Sequence, residues 1–521
     1  MNNVTLFLKS NQSSWIILTV LGLTGLIIRL FFIPYQIPIS LDGLDYFAFS
    51  IAINQEKSFP EEYLSGNFGW PIFLSWVFAF LDYSEMLKLM DIQRIITSII
   101  STVSIIPIFL LLKIFFRKEV ALVGVSLFLF DPRIIENSLL GITEPLFIFL
   151  ITLTIFFAFF KKSKFIFMAF ICAGFATIVR YEGALLLVPI ILTFFINREF
   201  NKKSLVKFVS GIFTFGIILL IMSFVAYQGD NTFGIISPLI GGSNYFSNTI
   251  INNNSDPDDE VFGENANNRF SIFLYNAIQG YAKYLGWILI PIQIIFVVGS
   301  TIIISKKITK QRIILFLFFM FLSISSIYAF GRGIQDPRYL FSLIPIFCLF
   351  GCVLIEFLRK RKLQNKILLF IPVIIVISLF FITVNQSNIE FEEEYYLASK
   401  FLAENADGVN EYDRGRYLRP SIVELNWPDM SLEKGNKIGA NQIKIISSEK
   451  FTELNDYIDF GKSQDLTHLL VTNNEKGIFK QVFEKTEESG LFTEVYKSEN
   501  DIIKIKIVQI NYEKTIFQNE T

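Results

Sequence analysis

The feature that most constrains the fold of this chain is a series of apolar runs, many of which approach the length that spans a bilayer. A helix rises 1.5 Å per residue, so about 20 apolar residues cross a hydrocarbon core of about 30 Å. The sequence contains eleven such runs, several of them short. They lie at approximately 15–32, 92–116, 120–135, 142–160, 165–179, 184–196, 205–227, 284–304, 313–330, 340–358 and 367–384. The runs predict a polytopic membrane protein.

The distribution of charge predicts how these spans are oriented. The net charge of -1 is the sum of 30 Lys and Arg against 22 Asp and Glu in residues 1–385, and 16 against 25 in residues 386–521. With a cytoplasmic N-terminus, 20 of those 30 basic residues lie in cytoplasmic loops, as the positive-inside rule requires. An odd number of spans then places residues 386–521, called the tail below, outside the cell.

The composition predicts two domains that meet near residue 385. Residues 1–385 form a mostly α-helical transmembrane domain with two long outer loops, 34–91 and 229–283. The tail mixes strand-like runs, such as 466–472 and 501–510, with charged helical stretches, which predicts a small extracytoplasmic α/β domain. The segment 69–81 is too short to cross and contains two tryptophans, so we expect it to lie near the membrane surface or to be re-entrant.

Few residues are available for metal or disulfide chemistry. The three cysteines all lie in apolar runs, so the tail has no disulfide framework. The single histidine, His468, excludes a multi-histidine metal site. The acidic stretch 252–260 is turn-rich and indicates a solvated surface loop more readily than a metal site.

Charged residues at the ends of spans are costly unless they are paired or functional. Four clusters of them lie at the predicted outer face. In the first, Asp42 and Asp45 are one helical turn apart, which favours a metal or a proton acceptor; the alternative is that Asp42 caps a helix and Asp45 is a first-turn acid. In the second, Glu144 begins a span between Thr143 and Pro145, as in an ordinary helix start.

The other two clusters contain arginine. Arg180 and Glu182 share a tight turn, where they would pair with each other, or where Arg180 would grip an anionic lipid phosphate. Arg332 and Arg338 flank Asp336, which would pair with one of them. Arginines beside acids are the arrangement needed to deprotonate an acceptor while stabilising a phosphate leaving group.

The order of these motifs resembles the GT-C superfamily of membrane glycosyltransferases. The resemblance is to the branch of protein O-mannosyltransferases and aminoarabinose transferases that uses polyprenyl-phosphate sugars, and it covers roughly residues 15–360. Gly43 departs from the family pattern, since many members have an acidic residue there, and of a doubled proline before the second span only Pro71 is present. The matching motifs are Asp42-Gly43-Leu44-Asp45-Tyr46, residues 69–74, Thr143-Glu144-Pro145, Arg180-Tyr181-Glu182-Gly183 and Arg338-Tyr339-Leu340.

The resemblance implies transfer of a sugar from a polyprenyl-phosphate donor to a protein, lipid or glycan acceptor, with inversion at the anomeric carbon, in the cell envelope. Membrane lipids are further partners. No nucleotide cofactor and no nucleic acid is expected, whereas a divalent cation would bind to Asp42, Asp45 and Glu144. The implied roles are Asp42 as general base, Asp45 and Glu144 as acceptor-positioning acids, Arg180, Arg332 and Arg338 as ligands of the lipid phosphate, and Tyr46, Glu182 and Tyr339 as substrate-positioning residues.

Two other classes of protein compete with this interpretation. A transporter or flippase of a lipid-linked anion would hold charges near the bilayer midplane on broken helices, often in two related halves. Here the charges cluster at one predicted face, and no half-to-half repeat is found. A membrane-anchored assembly protein would carry its function in the tail alone, and Asp42 would be dispensable.

Overall fold

The computed structural model describes residues 12–57, 67–83, 85–160, 163–197, 202–226, 246–247, 269–303, 309–361, 366–385, 389–405, 410–411, 417–427, 444–445, 451–464, 466–473, 477–485, 490–498 and 504–512. The predicted acidic loop 252–260 lies outside them. The chain divides into two compact units, each made of separate chain segments. Unit 1 comprises Met1–Ile33, Leu64–Phe73 and Arg94–Thr383, and unit 2 comprises Pro34–Tyr63, Leu74–Gln93 and Val384–Thr521.

The described part of the chain is mostly helical. In chain order, its α-helices are α1 Gln12–Phe31, α2 Asp42–Glu56, α3 Gly69–Phe78, α4 Met86–Val103, α5 Ile105–Phe115, α6 Lys118–Leu129, α7 Pro132–Ser138, α8 Glu144–Ala158, α9 Ser163–Val179, α10 Leu187–Asn197, α11 Lys202–Ala226, α12 Arg269–Leu289, α13 Gln293–Ile303, α14 Lys310–Gly331, α15 Ile344–Arg361, α16 Phe370–Asn385, α17 Ile389–Asn405, α18 Leu418–Leu425, α19 Leu454–Ser463 and α20 Ile478–Lys485. Short 3₁₀ segments cover Tyr181–Leu186, Pro337–Leu343 and Ile367–Leu369.

Six helical stretches of the described chain, some of which join consecutive elements of this series, are long and apolar enough to cross a membrane, and the pair α12 and α13, bent by 109°, would make a seventh. Four further apolar helices have only 10–17 residues. The chain is thus a multi-pass membrane protein, but the predicted count of eleven spans is not confirmed. Several apolar runs form short helices or break; the run 120–135 breaks because Asp131 caps a new helix at Pro132.

Helix α6 lies at the centre of unit 1. Its residues from Val120 to Leu129 are all buried, as expected of a helix that is apolar on every side. A Cβ atom at Gly124 would lie 2.3 Å from the Cys352 sulfur, so glycine allows α6 to approach α15 closely. This packed helical core holds the ends of α8 and α9 and the segment after α14, where the candidate site lies.

Unit 2 contains the strands of the described chain. Strands β3 (His468–Thr472), β5 (Ile505–Ile510) and β4 (Phe492–Lys497) form an antiparallel sheet in the order β3-β5-β4, with Thr472 opposite Ile505. Strands β1 (Asn410–Glu411) and β2 (Lys444–Ile445) form a short parallel pair. Helices and strands therefore mix as predicted, and the fold class, a mostly α-helical chain ending in a small mixed domain, is confirmed.

The first predicted outer loop contributes to the core of unit 2. Ile37, which follows α1, packs with Tyr395, Leu402, Tyr417 and Ile507 of the tail, and all five side chains are buried. Ile37 therefore shares one hydrophobic core with the tail. The sequence division near residue 385 did not anticipate this shared core.

Candidate functional site

The Arg180 guanidinium is the centre of a buried ion-pair cluster in unit 1. It donates through Nη1 to Glu144, through Nη2 to Oε1 of Glu182 at 2.9 Å, and through Nε to Oε2 of Glu182 at 3.4 Å. The side chains are 13%, 4% and 6% exposed for Arg180, Glu144 and Glu182. The pairing of Arg180 with Glu182, one of the two sequence alternatives, is present, and Glu144 joins it.

The start of α8 supplies Glu144 to this cluster. Thr143 occupies the N-cap position, but its hydroxyl makes no cap hydrogen bond to the helix. Instead Thr143 Oγ1 accepts from Arg180 Nη1 at 3.3 Å and donates to Glu144 Oε2 at 3.4 Å. The helix N-terminus favours a carboxylate at this position. The backbone is thus an ordinary helix start, whereas the two side chains serve the cluster.

The turn that carries Arg180 depends on Gly183. A Cβ atom there would lie 2.5 Å from the backbone nitrogen of Thr177 and 2.6 Å from the carbonyl carbon of Ala176, so only glycine lets the 3₁₀ segment approach α9 this closely. The backbone N–H of Tyr181 donates to Asn67 Oδ1 at 3.3 Å. The backbone on the C-terminal side of Arg180 is therefore fixed by its packing against α9 and by its hydrogen bond to Asn67.

Trp70 supports the turn before Glu144. It is fully buried, and its Nε1 donates to the carbonyl oxygen of Gly141 at 3.0 Å. The indole N–H of Trp70 thus has a backbone partner inside the unit, and the expected position of this segment near the membrane surface stays a prediction. Trp76 is 72% exposed.

Arg338 lines an open recess next to the cluster. The recess has a volume of about 270 Å³, including open solvent at its mouth. Arg338 donates to Oδ2 of Asp336 through Nε at 2.7 Å and Nη2 at 2.6 Å, and its side chain is 29% exposed. The Asp336 pairing considered from the sequence is thus with Arg338. The recess is lined by Glu144, Phe147, Ile148, Arg180, Glu182, Ser325, Arg338, Tyr339 and Ser342.

Five of the nine site residues predicted from the sequence share this recess. The Tyr339 ring lies 5.7 Å from Arg180 Cζ, so the guanidinium also has an aromatic face beside it. Arg332 ends α14, where its Cζ lies 5.8 Å from the Tyr328 ring, and it does not line the recess. Nothing in the sequence pattern marked Ser325, one of three serines close together in an apolar run, or Ser342, a single serine in the next run.

The remaining three predicted residues lie on α2 in unit 2. The N-cap residue of α2 is Leu41, with φ 53°, so Asp42 is the first helical residue rather than the cap. The Asp42 side chain is exposed, whereas Tyr46 is 8% exposed. Asp45 accepts from Arg419 Nη2 at 2.6 Å. Arg419 belongs to α18 of the tail and was not identified from the sequence.

Two of the three carboxylates expected to bind a divalent cation form ion pairs with arginines. Glu144 accepts from Arg180, and Asp45 accepts from Arg419. Within the described ranges, no group of three or more His, Cys, Asp or Glu side chains is placed to hold a metal ion. Because two of these carboxylates already pair with a positively charged guanidinium, the arrangement does not fit a bound divalent cation.

Comparison with known proteins gives a family match for part of the chain. Residues 71–227 match the family model of dolichyl-phosphate-mannose-protein mannosyltransferases. That segment includes Glu144, Arg180 and Glu182. No curated protein sequence matches the chain significantly.

The fold is similar to that of the oligosaccharyltransferase from Archaeoglobus fulgidus. Its crystal structure with Zn and sulfate has a TM-score of 0.53 at 12% identity, over 87% of this chain and 67% of that one. The apo form has a TM-score of 0.52 at 12% identity, over 88% and 69%. A third structure, tethered to an acceptor peptide with the NVT sequon, has a TM-score of 0.50 at 11% identity, over 89% and 69%. Residues 71–227 thus match a mannosyltransferase family model, and the fold of the chain is similar to that of this oligosaccharyltransferase.

Proposed function

We propose that this protein is a glycosyltransferase that moves a sugar from a polyprenyl-phosphate donor to a protein acceptor at the outer face of the membrane. The observation that carries the proposal is the recess lined by Arg180 and Arg338. Arginine binds phosphate oxygens bidentately, and guanidinium groups stabilise the charge that a phosphate leaving group develops. The description of the matching family, a transfer from dolichyl phosphate mannose to protein, supports the same donor and acceptor classes.

The two arginines have different roles in this proposal. Arg180 is held by two buried carboxylates and gives the wall of the recess a fixed shape and charge. Arg338 is more exposed and is oriented by one carboxylate, Asp336, so it is the residue that binds the donor phosphate. Ser325 and Ser342 supply hydroxyls to the same recess, where they would contact phosphate or sugar oxygens.

The reaction that we propose is an inverting displacement. The acceptor oxygen forms a bond to the anomeric carbon, while the bond between that carbon and the phosphate oxygen breaks and its electron pair leaves with the polyprenyl phosphate. Asp42 takes the proton from the acceptor hydroxyl. Its exposed side chain is accessible to an acceptor hydroxyl.

The test uses membranes that contain the protein, radiolabelled polyprenyl-phosphate mannose, glucose and pentose, and an acceptor-protein pool. We expect label to pass from lipid to protein, and Asp42→Asn to lower the initial rate roughly 100-fold or more, as loss of a general base does. Asp82→Asn is the matched control, because Asp82 is also an exposed acid of unit 2. Transfer by Asp42→Asn at the parent rate would overturn the base assignment, and no transfer by the folded parent from any of the three donors would overturn the function.

A further inference from the structure

The tail contacts helix α2 through two side chains near α18. Arg419 Nη2 lies 2.6 Å from Asp45 Oδ1, and the two side chains are 12% and 29% exposed. Trp427, just after α18, stacks on Phe47 of α2 with ring centroids 5.8 Å apart and an interplanar angle of 28°. Trp427 Nε1 also donates to the carbonyl oxygen of Tyr83 at 2.7 Å. A charged contact and an aromatic contact therefore hold α2 from the same part of the tail.

Helix α18 is itself firmly fixed within the tail. Leu418 is fully buried in the core that also contains Ile37. Glu424, near the other end of α18, accepts from Tyr396 Oη and from Lys400 Nζ, the latter at 2.8 Å, both on α17. Since α18 is anchored at both ends, Arg419 projects from a rigid support.

The first turn of α2 needs such a support. Its N-cap residue, Leu41, has φ 53° and makes no side-chain cap hydrogen bond, so the helix begins from a backbone conformation that side chains other than glycine rarely adopt. The carbonyl oxygen of Gly43 accepts from Gln93 Nε2 at 3.1 Å. Asp42 and Asp45 both lie in this first turn. A contact that fixes Asp45 also fixes the position of Asp42.

We propose that Arg419 is a positioning residue for the sugar transfer, and that the tail holds the first turn of α2, and with it Asp42, through Arg419 and Trp427. This inference rests on the proposed function, in which Asp42 is the general base.

The kinetic test is a double-mutant cycle with Arg419→Ala, Asp45→Asn and both together. We expect each single variant to lower kcat for sugar transfer roughly 10-fold to 100-fold, because small displacements of a reacting group have effects of that size. The KM for the lipid donor should stay within about 2-fold, because removal of an interaction made only in the transition state lowers kcat rather than affinity. The double variant should be no worse than the worse single variant, since both remove the same contact. Arg419→Lys should recover part of the rate, because it keeps the charge.

A matched control comes from a second ion pair of the tail. Lys506 Nζ lies 3.1 Å from Glu494 on neighbouring strands, and the two side chains are 13% and 30% exposed, almost as in the Arg419 pair. Lys506→Ala removes a cation of equal burial from the sheet. It should leave kcat within about 2-fold of the parent, as expected for a site remote from the chemistry.

Hydrogen exchange of residues 42–56 in the full-length protein tests the contact independently of activity. Arg419→Ala should raise exchange in this segment, Arg419→Lys should raise it less, and Lys506→Ala should leave it unchanged. If the parent transfers no sugar, the proposed function is wrong, but hydrogen exchange still tests whether Arg419 holds the first turn of α2. Unchanged exchange in Arg419→Ala would overturn the proposal, as would an Asp45→Asn variant more than about 10-fold slower than Arg419→Ala, because Asp45 would then act on substrate itself.

Discussion

Replacement of Arg180 by leucine should destabilise unit 1 strongly. The change leaves Glu144 and Glu182, only 4% and 6% exposed, without the guanidinium that both accept from. Breaking a buried ion pair from one side costs about 3–5 kcal/mol, because the remaining charge stays out of water without its partner. Since whole proteins are stable by only about 5–15 kcal/mol, this single change removes a large share of the folding free energy.

A triple variant distinguishes the free-energy cost of the unpaired charges from the cost of a simple packing defect. Arg180→Leu combined with Glu144→Gln and Glu182→Gln removes all three charges while it keeps the side-chain volumes of the two acids. Because replacing a whole buried ion cluster by neutral groups is often close to neutral in stability, we expect most of the loss to be recovered, to within about 1–2 kcal/mol of the parent.

The assay is unfolding in mixed micelles of increasing SDS content, followed by tryptophan fluorescence. The matched control is Arg332→Leu, because Arg332 is half-buried and lies over the Tyr328 ring, where a cation on an aromatic face contributes about 0.5–1 kcal/mol. An Arg180→Leu variant within about 1 kcal/mol of the parent, or a triple variant as unstable as the single one, would refute the reasoning from buried charge.

Three further outcomes follow from the described contacts. Arg338→Lys should raise the KM for the lipid donor roughly 5-fold to 10-fold in initial-rate measurements, since an ammonium cannot keep the fork that Asp336 orients; an unchanged KM would contradict phosphate binding there. Gly183→Ala should destabilise the protein by about 1–3 kcal/mol, because the new Cβ meets backbone atoms that cannot move aside; a parent-like melting curve would contradict the close approach. Burial lowers the pKa of His468. As the pH falls below about 6.5, the unfolded chain therefore binds a proton at this residue before the folded chain does, and the tail should lose stability. The His468→Gln variant should show a weaker pH dependence of thermal unfolding, and an unchanged dependence would contradict this reasoning.

Several residues of the recess were predictable from the sequence because they lie at helix ends that proline or glycine marks. Pro145 and Pro337 mark helix starts, and Gly183 marks a turn, so the neighbouring Glu144, Arg180 and Arg338 could be placed at the ends of spans. The sequence pattern could not predict which carboxylates pair with Arg180. Whether Arg180 contacts Glu182, Glu144 or both depends on how close two separate helix ends pack, and that distance is set by the core.

The remaining differences have two physical causes. Hydropathy shows where a chain is apolar but not where a helix begins or breaks. Residues 284–304 were therefore taken as one span, although α12 begins at Arg269, within the predicted outer loop 229–283, and meets α13 at a bend of 109°. The contact between Arg419 and Asp45 joins residues 374 positions apart, and a contact at that separation leaves no local periodicity or spacing to detect.

The shared core of unit 2 has a consequence for biosynthesis. Roughly 290 residues separate Gln93 from Val384, the nearest chain points of the two parts that pack together. At about 5–20 residues per second, a ribosome needs roughly 15–60 s to make that interval. During this time Ile37 and α2 have left the ribosome while the side chains that cover them have not yet been made. A truncated chain that ends before the tail would thus expose this surface permanently, and in the intact protein the contacts of Arg419 and Trp427 with α2 form only after that part of the tail has been made.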